Sequence, residues 1–294
     1  ENELSTRDNN FTNFFNNIYV EITPGFAKGL SYRLNFGSTL RQTKEAIYWP
    51  RGTWLGDSNN GLAEVEDSRL WEYTLENILN YSATFGDHNL NLTGLYSVQS
   101  SDFERTTSGA SGFVTDDLLW YNLNAGETPL LPGSGANPKN EWGLVSYMAR
   151  ANYDYKSKYY LTATVRHDGY SGFAVNNKYG TFPSAALAWR VSGENMFEDS
   201  SWLDDWKIRV SYGTVGNQAV GTFRSLAQLT NAQYVFGETV TGGVKVNSLR
   251  NDNLGWESAT TLNVGTNFSL FNGRVSGTMD YYETQTDDLL LSRE

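Results

Sequence analysis

Between Val145 and Arg166 the chain alternates apolar and polar residues so regularly that only a β-hairpin accommodates it. Val145, Tyr147, Ala149, Ala151, Tyr153 and Tyr155 fall on odd positions, with Ser146, Met148, Arg150, Asn152 and Asp154 between them. After Lys156-Ser157-Lys158 the pattern resumes, with Tyr159, Leu161, Ala163 and Val165 on one face and Tyr160, Thr162, Thr164 and Arg166 on the other. Successive side chains of a strand point to opposite sides, so each strand has one apolar and one wet face. A helix would need apolar spacings of three and four, which are absent.

The same pattern recurs along the chain and predicts further hairpins. Ile18, Val20 and Ile22 lead through Pro24-Gly25 to Leu30, Tyr32, Leu34 and Phe36. Tyr73, Leu75, Leu79, Tyr81, Ala83 and Phe85, with Asn77 as the exception, lead through 86–89 to Leu90, Leu92, Gly94, Tyr96 and Val98. Ala185, Leu187, Trp189 and Val191 precede a connection over 192–205, with one helical turn expected near Asn195 to Phe197, and then Trp206, Ile208, Val210 and Tyr212. Leu262, Val264 and Phe268 are joined to Val275, Gly277, Met279 and Tyr281 by Phe271-Asn272-Gly273, and Asn-Gly is a strong hairpin signal. Residues 1–16, 37–71, 100–144 and 214–257 lose the alternation and are expected to be loops, with turn chemistry such as Trp49-Pro50-Arg51-Gly52 and Asp57-Ser58-Asn59-Asn60-Gly61.

Counted this way there are about ten strands, and connections alternate strictly between short and long. A meander then places every tight turn at one rim and every long loop at the other. Transmembrane β-barrels have this asymmetry, with short periplasmic turns and longer extracellular loops. Tyr153, Tyr155, Tyr159, Tyr160, Trp206 and Tyr281 are expected at strand ends, where an interfacial girdle would sit. An alternative reading packs the same aromatics into a soluble core. The fold class expected is all-β: an antiparallel, up-and-down transmembrane β-barrel, here a part of a larger one.

Composition is consistent with this. The 294 residues include 28 Gly, 18 Tyr and 9 Trp, as turn-rich β-structure requires. With 39% hydrophobic residues no segment reaches the roughly 18 consecutive apolar residues of a membrane helix, a test that barrel strands do not have to pass. A net charge of -11 argues against a nucleic-acid partner. The absence of Cys excludes disulfides and thiolate metal sites.

No catalytic set is read from the sequence. His88 is placed in a turn, and His167 at a strand end beside Asp168, without the further ligands that a metal site needs. The pairs Asp116-Asp117, Asp204-Asp205 and Asp287-Asp288 are read as loop-solvating. Asn251-Asp252-Asn253 lacks the Gly and terminal Glu of a calcium loop. No catalytic, cofactor-binding or metal-binding residue is therefore expected, and the sequence singles out no substrate-contacting residue. Trp49, Trp54, Trp71, Trp120, Tyr121 and Trp142 are expected in long loops, either as platforms for sugar rings or peptide side chains or, preferentially, packing the loops together. Arg33, Arg150, Arg166, Arg190, Arg209 and Arg274 should line the lumen, since an Arg facing lipid costs roughly 2–4 kcal/mol at midplane.

Several blocks resemble the barrel of TonB-dependent outer-membrane transporters of the SusC/RagA type. They are Lys158 to Gly169 (KYYLTATVRHDG), Tyr179 to Ser184 (YGTFPS), Trp189 to Ser192 (WRVS), Trp206 to Gln218 (WKIRVSYGTVGNQ), Asn253 to Glu257 (NLGWE) and Asn272 to Tyr282 (NGRVSGTMDYY), in the family's order. The resemblance implies import of oligosaccharide or oligopeptide through the Gram-negative, Bacteroidetes-type outer membrane. It also implies a SusD-like surface lipoprotein and the TonB complex as partners, and no enzymatic activity. Nothing resembles the family's plug domain or TonB box, and no closing strand follows Leu289 to Glu294. Residues 1–294 are therefore expected to be a barrel segment. The rivals are a soluble or surface carbohydrate-binding β-protein, which an inward-packed apolar face would support, and a small barrel enzyme or adhesin, which pairing of first and last strands would support.

Overall fold

The computed structural model describes residues 5–130, 138–198 and 200–291. Its strands are β1 (Thr6–Ile22), β2 (Leu30–Trp49), β3 (Leu62–Phe85), β4 (His88–Phe113), β5 (Gly126–Leu130), β6 (Lys139–Tyr155), β7 (Tyr159–Tyr170), β8 (Tyr179–Arg190), β9 (Leu203–Asn217), β10 (Gln228–Phe236), β11 (Thr239–Ser248), β12 (Glu257–Leu270) and β13 (Val275–Asp287). A short helix, α1 (Trp54–Asn59), lies between β2 and β3.

Ten strands form one antiparallel meander in the order β1-β2-β3-β4-β6-β7-β8-β9-β12-β13. β5 pairs with β4, beyond the point where β6 leaves it. The strands β10 and β11 form a separate two-stranded ribbon. Among the described residues β1 and β13 each have one neighbour, so the sheet does not close on itself. This is the open wall expected of part of a larger barrel and not a complete small one.

The hairpin at 145–166 has the register its alternation requires. Tyr153 faces Leu161, Ala151 faces Ala163 and Ala149 faces Val165, while Arg150 lies opposite Thr164. The rows continue into neighbouring strands: Leu161 meets Leu187, Leu187 meets Val210, and Val210 meets Val264. This apolar face is turned to the surroundings. Leu161, Val165 and Leu187 retain 42%, 45% and 60% of their surface, whereas Ser146 and Asp168 on the opposite face retain 2% and 7%. A curved sheet crowds side chains on its concave side and spreads them on its convex side, so the polar face is the inner one. The inward-packed core required by a soluble protein is not what the chain builds.

Four expected loops are corrected. Most of 5–16 belongs to β1, residues 37–49 to β2, 62–71 to β3, 100–113 to β4, 139–144 to β6, and 214–217 to β9. The region 214–257 also contains the unanticipated β10–β11 ribbon. Over much of these extensions polar residues stand on both faces, so backbone pairing continues without the alternation that a half-buried strand carries, while Ala46, Tyr48, Ala63, Ala110 and Phe113 bury one cluster near the strand ends. Arg41 is paired with Asn13 and Lys44 with Asn10, polar residues on both sides. The parts of the expected loops at 1–4 and 131–137, and Ser292, Arg293 and Glu294, lie outside the described residues.

The short turns are retained at one rim. Asn272 and Gly273 adopt φ of 58° and 75°, the left-handed geometry an Asn-Gly turn supplies at low cost. Both their N–H groups donate to the Asp204 carboxylate, at 3.1 and 2.9 Å. The expected helical turn is present as a 3₁₀ segment at Asn195–Phe197. Asn77, the polar interruption of the apolar face, accepts a hydrogen bond from the Tyr32 hydroxyl at 2.7 Å.

Candidate functional site

Along the inner face the arginines are tied down pairwise. The Arg166 Nε donates to both Asp168 carboxylate oxygens at 2.8 and 2.7 Å, and another of its nitrogens reaches the buried Ser146 hydroxyl at 2.9 Å. Arg190 donates to Asp205 at 2.6 Å, and Arg209 to Asp280 at 3.0 Å and Asn267 at 2.9 Å. Arg150 donates to Thr164, and Arg33 donates to Asn35 while its guanidinium lies 4.0 Å from the centre of the Tyr19 ring. These five stand on the polar face, as expected. Arg274 does not: it lies in the turn between β12 and β13, one residue before the strand begins.

The inner face opens into hollows. One of about 430 Å³ lies over β1–β4 and is lined by Arg33, Asn35, Glu72, Glu76, Gln99 and Trp142 among others. A larger one, about 880 Å³, lies where the 171–178 connection, the 218–225 and 249–256 segments and residues 288–291 approach each other. Asn176, Asn177, Arg224, Asn253 and Trp256 line it. Its floor is rigid: Phe173 and Phe182 pack edge-on against Trp256 at 5.2 and 5.3 Å, and the Trp256 indole donates to the Lys178 carbonyl at 3.0 Å. Gly216 permits this packing, since a Cβ there would stand 2.1 Å from the Phe182 ring. Nearby, the Tyr170 ring packs edge-on against Phe173 at 5.1 Å. Glu257 accepts from the Asn217 amide and the Leu290 N–H, both at 3.0 Å. Such hollows offer amide and guanidinium groups to a polar solute.

The predicted aromatics divide. Trp49, Trp71 and Trp142 belong to strands, Trp54 lies in α1, and Trp120 and Tyr121 lie in the β4–β5 connection. Trp120 is buried with Tyr48, Ala63, Ala110 and Phe113, so it packs a loop onto the strands. Tyr48 donates to Asp116 at 2.8 Å, and burial and that carboxylate raise its pKa. Trp142 borders the inner hollow. At the short-turn rim one row joins Phe85, His88, Tyr155, Tyr159 and Trp189 across five strands. Glu194 in the adjoining turn accepts from the Tyr159 hydroxyl at 2.6 Å and the Trp189 indole at 3.0 Å, and those bonds lower its pKa. This is an aromatic girdle with its polar ends toward water. Tyr160 departs from the expected girdle by facing inward beneath Lys207, and Tyr281 by sitting in mid-strand opposite Val264.

Neither histidine stands where the sequence suggested. His88 opens β4, within 2.7 Å of the Tyr153 hydroxyl. His167 lies inside β7, stacked on Tyr179 at 5.3 Å. Asp205 is engaged with Arg190, Asp116 with Arg51 and Tyr48, and Asp252 with Arg250. Asn251 closes a local turn by accepting from the Asn253 N–H. Among the described residues no three His, Asp or Glu groups converge in a way that could hold a metal ion.

Comparison with known proteins agrees with this architecture. The family model described as TonB dependent receptor-like, beta-barrel matches residues 2–294. TonB-dependent receptor P3 of Formosa agariphila is 38% identical over 91% of the chain, which spans 26% of that protein. TonB-dependent receptor SusC of Bacteroides thetaiotaomicron is 42% identical over 51% of the chain and 15% of its own length. The solved structure of the RagAB peptide transporter superposes with a TM-score of 0.86 at 24% identity, over 98% of this chain and 31% of that one. The chain thus spans about a quarter of the length of the curated relatives it matches over most of its own length. With an open ten-strand meander, an exposed apolar face and a polar inner wall, it belongs to the TonB-dependent receptor β-barrel family.

Proposed function

We propose that this chain is a stretch of the barrel wall of an outer-membrane importer, and that the polar inner face and its hollows belong to the path of an oligosaccharide or oligopeptide. The observation that carries this is the separation of faces. An apolar belt is exposed along one side, while the other carries Arg166–Asp168, Arg190–Asp205 and Arg209–Asp280. Lipid accepts the first face and a water-filled passage the second. The long connections, with the larger hollow, stand at the extracellular rim, and the girdle row of Tyr159 and Trp189 at the periplasmic one.

Residues 1–294 constitute a wall segment in this reading, with plug and TonB-contacting parts supplied by other regions of the protein. A SusD-like surface lipoprotein and the TonB complex are its partners, by likeness to SusC and to RagAB. The rigid, amide-lined hollow near Trp256 serves to hold solute, and no bond is made or broken there. The test uses the full-length protein in its outer membrane, with uptake of labelled oligosaccharides and oligopeptides followed with and without an intact TonB complex. TonB-dependent uptake of one class is expected. Unchanged uptake of both classes after deletion of the gene would overturn the proposal.

A further inference from the structure

The exposed apolar face is not uniform. Over β9, β12 and β13 it opens into a groove of about 660 Å³, lined by Trp202, Trp206, Ile208, Val264, Phe268 and Met279 among others. We infer that this groove holds one acyl chain of a periplasmic-leaflet phospholipid, whose phosphate is met by Arg274. The inference rests on the outer-membrane reading above.

Three observations carry it. The floor is β12, which is paired on both sides and so belongs to the continuous wall, and one bank stands on β13, which has one neighbour among the described residues. The groove arises because small residues lie between large ones. Thr266 stands between Ile208 and Met279, and Gly277 beneath the Phe268 ring, while Trp202 and Trp206 form one bank and Met279 and Tyr281 the other. A Cβ on Gly277 would stand 2.7 Å from that ring.

The Thr266, Trp206 and Asp280 side chains that border the groove are already engaged. The Thr266 hydroxyl accepts from the Trp206 indole at 3.0 Å and donates to the Lys207 carbonyl at 3.3 Å, and the Asp280 carboxylate is bound by Arg209. Along its floor an occupant therefore meets mainly hydrocarbon, with the Trp202 and Tyr281 rings on the banks.

The dimensions fit one leaflet. From Val264 to Leu270 the floor runs six residues, roughly 20 Å at the strand rise. At a tilt of about 45° that is some 14 Å of depth, half of a ~30 Å hydrocarbon core. The groove ends at the periplasmic turn, where Leu270 pairs with Val275. Arg274 is exposed beside that pair, and its guanidinium has no carboxylate partner among the described residues. A phosphate at headgroup level supplies one.

The test is native mass spectrometry of the full-length protein, delipidated in detergent and titrated with palmitoyl-oleoyl phosphatidylglycerol. One lipid should be retained more tightly than the rest. Val264→Trp and Met279→Trp, which fill the groove with side chains that a lipid-facing wall tolerates, should weaken its retention at least fivefold. Arg274→Gln should weaken it about threefold, and Leu187→Trp, on the same apolar face outside the groove, should leave it unchanged. Heat-modifiable electrophoretic mobility verifies that each variant is folded. Unchanged retention in folded Val264→Trp and Met279→Trp overturns the inference, as does protection of the groove by a protein partner or second copy in crosslinking. A full-length protein that folds and imports, with no groove-dependent lipid, overturns this inference alone. One that never reaches the membrane as a heat-modifiable barrel overturns the reading beneath it.

Discussion

Asp168 is 7% exposed, and Arg166 holds both its oxygens. The planar fork of the guanidinium lies opposite the carboxylate, so each charge has its partner. Arg166→Ala should therefore cost about 1–3 kcal/mol, the penalty of a buried polar group left without its partner. The double variant Arg166→Met with Asp168→Leu should recover most of that loss, since both charges leave together. Urea titration of the folded, heat-modifiable form of the full-length protein measures both. A single variant as stable as the parent would show that water in the passage solvates Asp168. Sequence placed Arg166 on the inner side correctly through the parity of β7. It did not reveal the partner two residues on, because a His167-Asp168-Gly169 triplet reads as a strand end, whereas the strand continues to Tyr170.

At the scale of the element, facing decides what a position tolerates. Val165 lies six residues above the girdle residue Tyr159 on the apolar side of β7, and Thr162 lies on the other side. Val165→Arg should cost about 2–4 kcal/mol, as a charge near the bilayer midplane does. Thr162→Arg should stay within about 1 kcal/mol, the loss of its hydrogen bond to Asn152. The same urea titration, with the folded fraction read by heat-modifiable mobility, reports both, and equal costs would contradict the assigned faces. This contrast was legible in the sequence wherever one face meets lipid and the other water. It faded where strands rise beyond the membrane. In β1 before Ile18, Phe14 and Phe15 are adjacent and Asn recurs, so no parity survives there, yet all seventeen residues of the strand pair with β2 in unbroken register. The ribbon β10–β11 was missed for a related reason. Gln228, Asn231, Gln233 and Gly242-Gly243 interrupt the apolar positions, and turn-like residues within a strand read as loop.

For the molecule as a whole, the meander and its two rims followed from the order of short and long connections. The site did not, since the hollow near Trp256 is assembled from segments far apart in the chain. The Trp142 and Trp256 rings bordering the hollows are set by register and by Phe173 and Phe182, which no local pattern announces.

The ribbon β10–β11 stands off the main sheet, and two strands alone are only marginally stable in water. Val235, Val240, Val244 and Val246 on it are each more than half exposed, so it has little buried surface to hold it closed. The wall strand β12, paired on both edges, opens only with the sheet. Opening is therefore graded across the molecule, and amide hydrogen exchange makes it visible. Amides of Leu229 to Val235 should exchange at least a hundredfold faster than those of Leu262 to Phe268. Uniform protection across the two segments would mean that another part of the assembly clamps the ribbon shut.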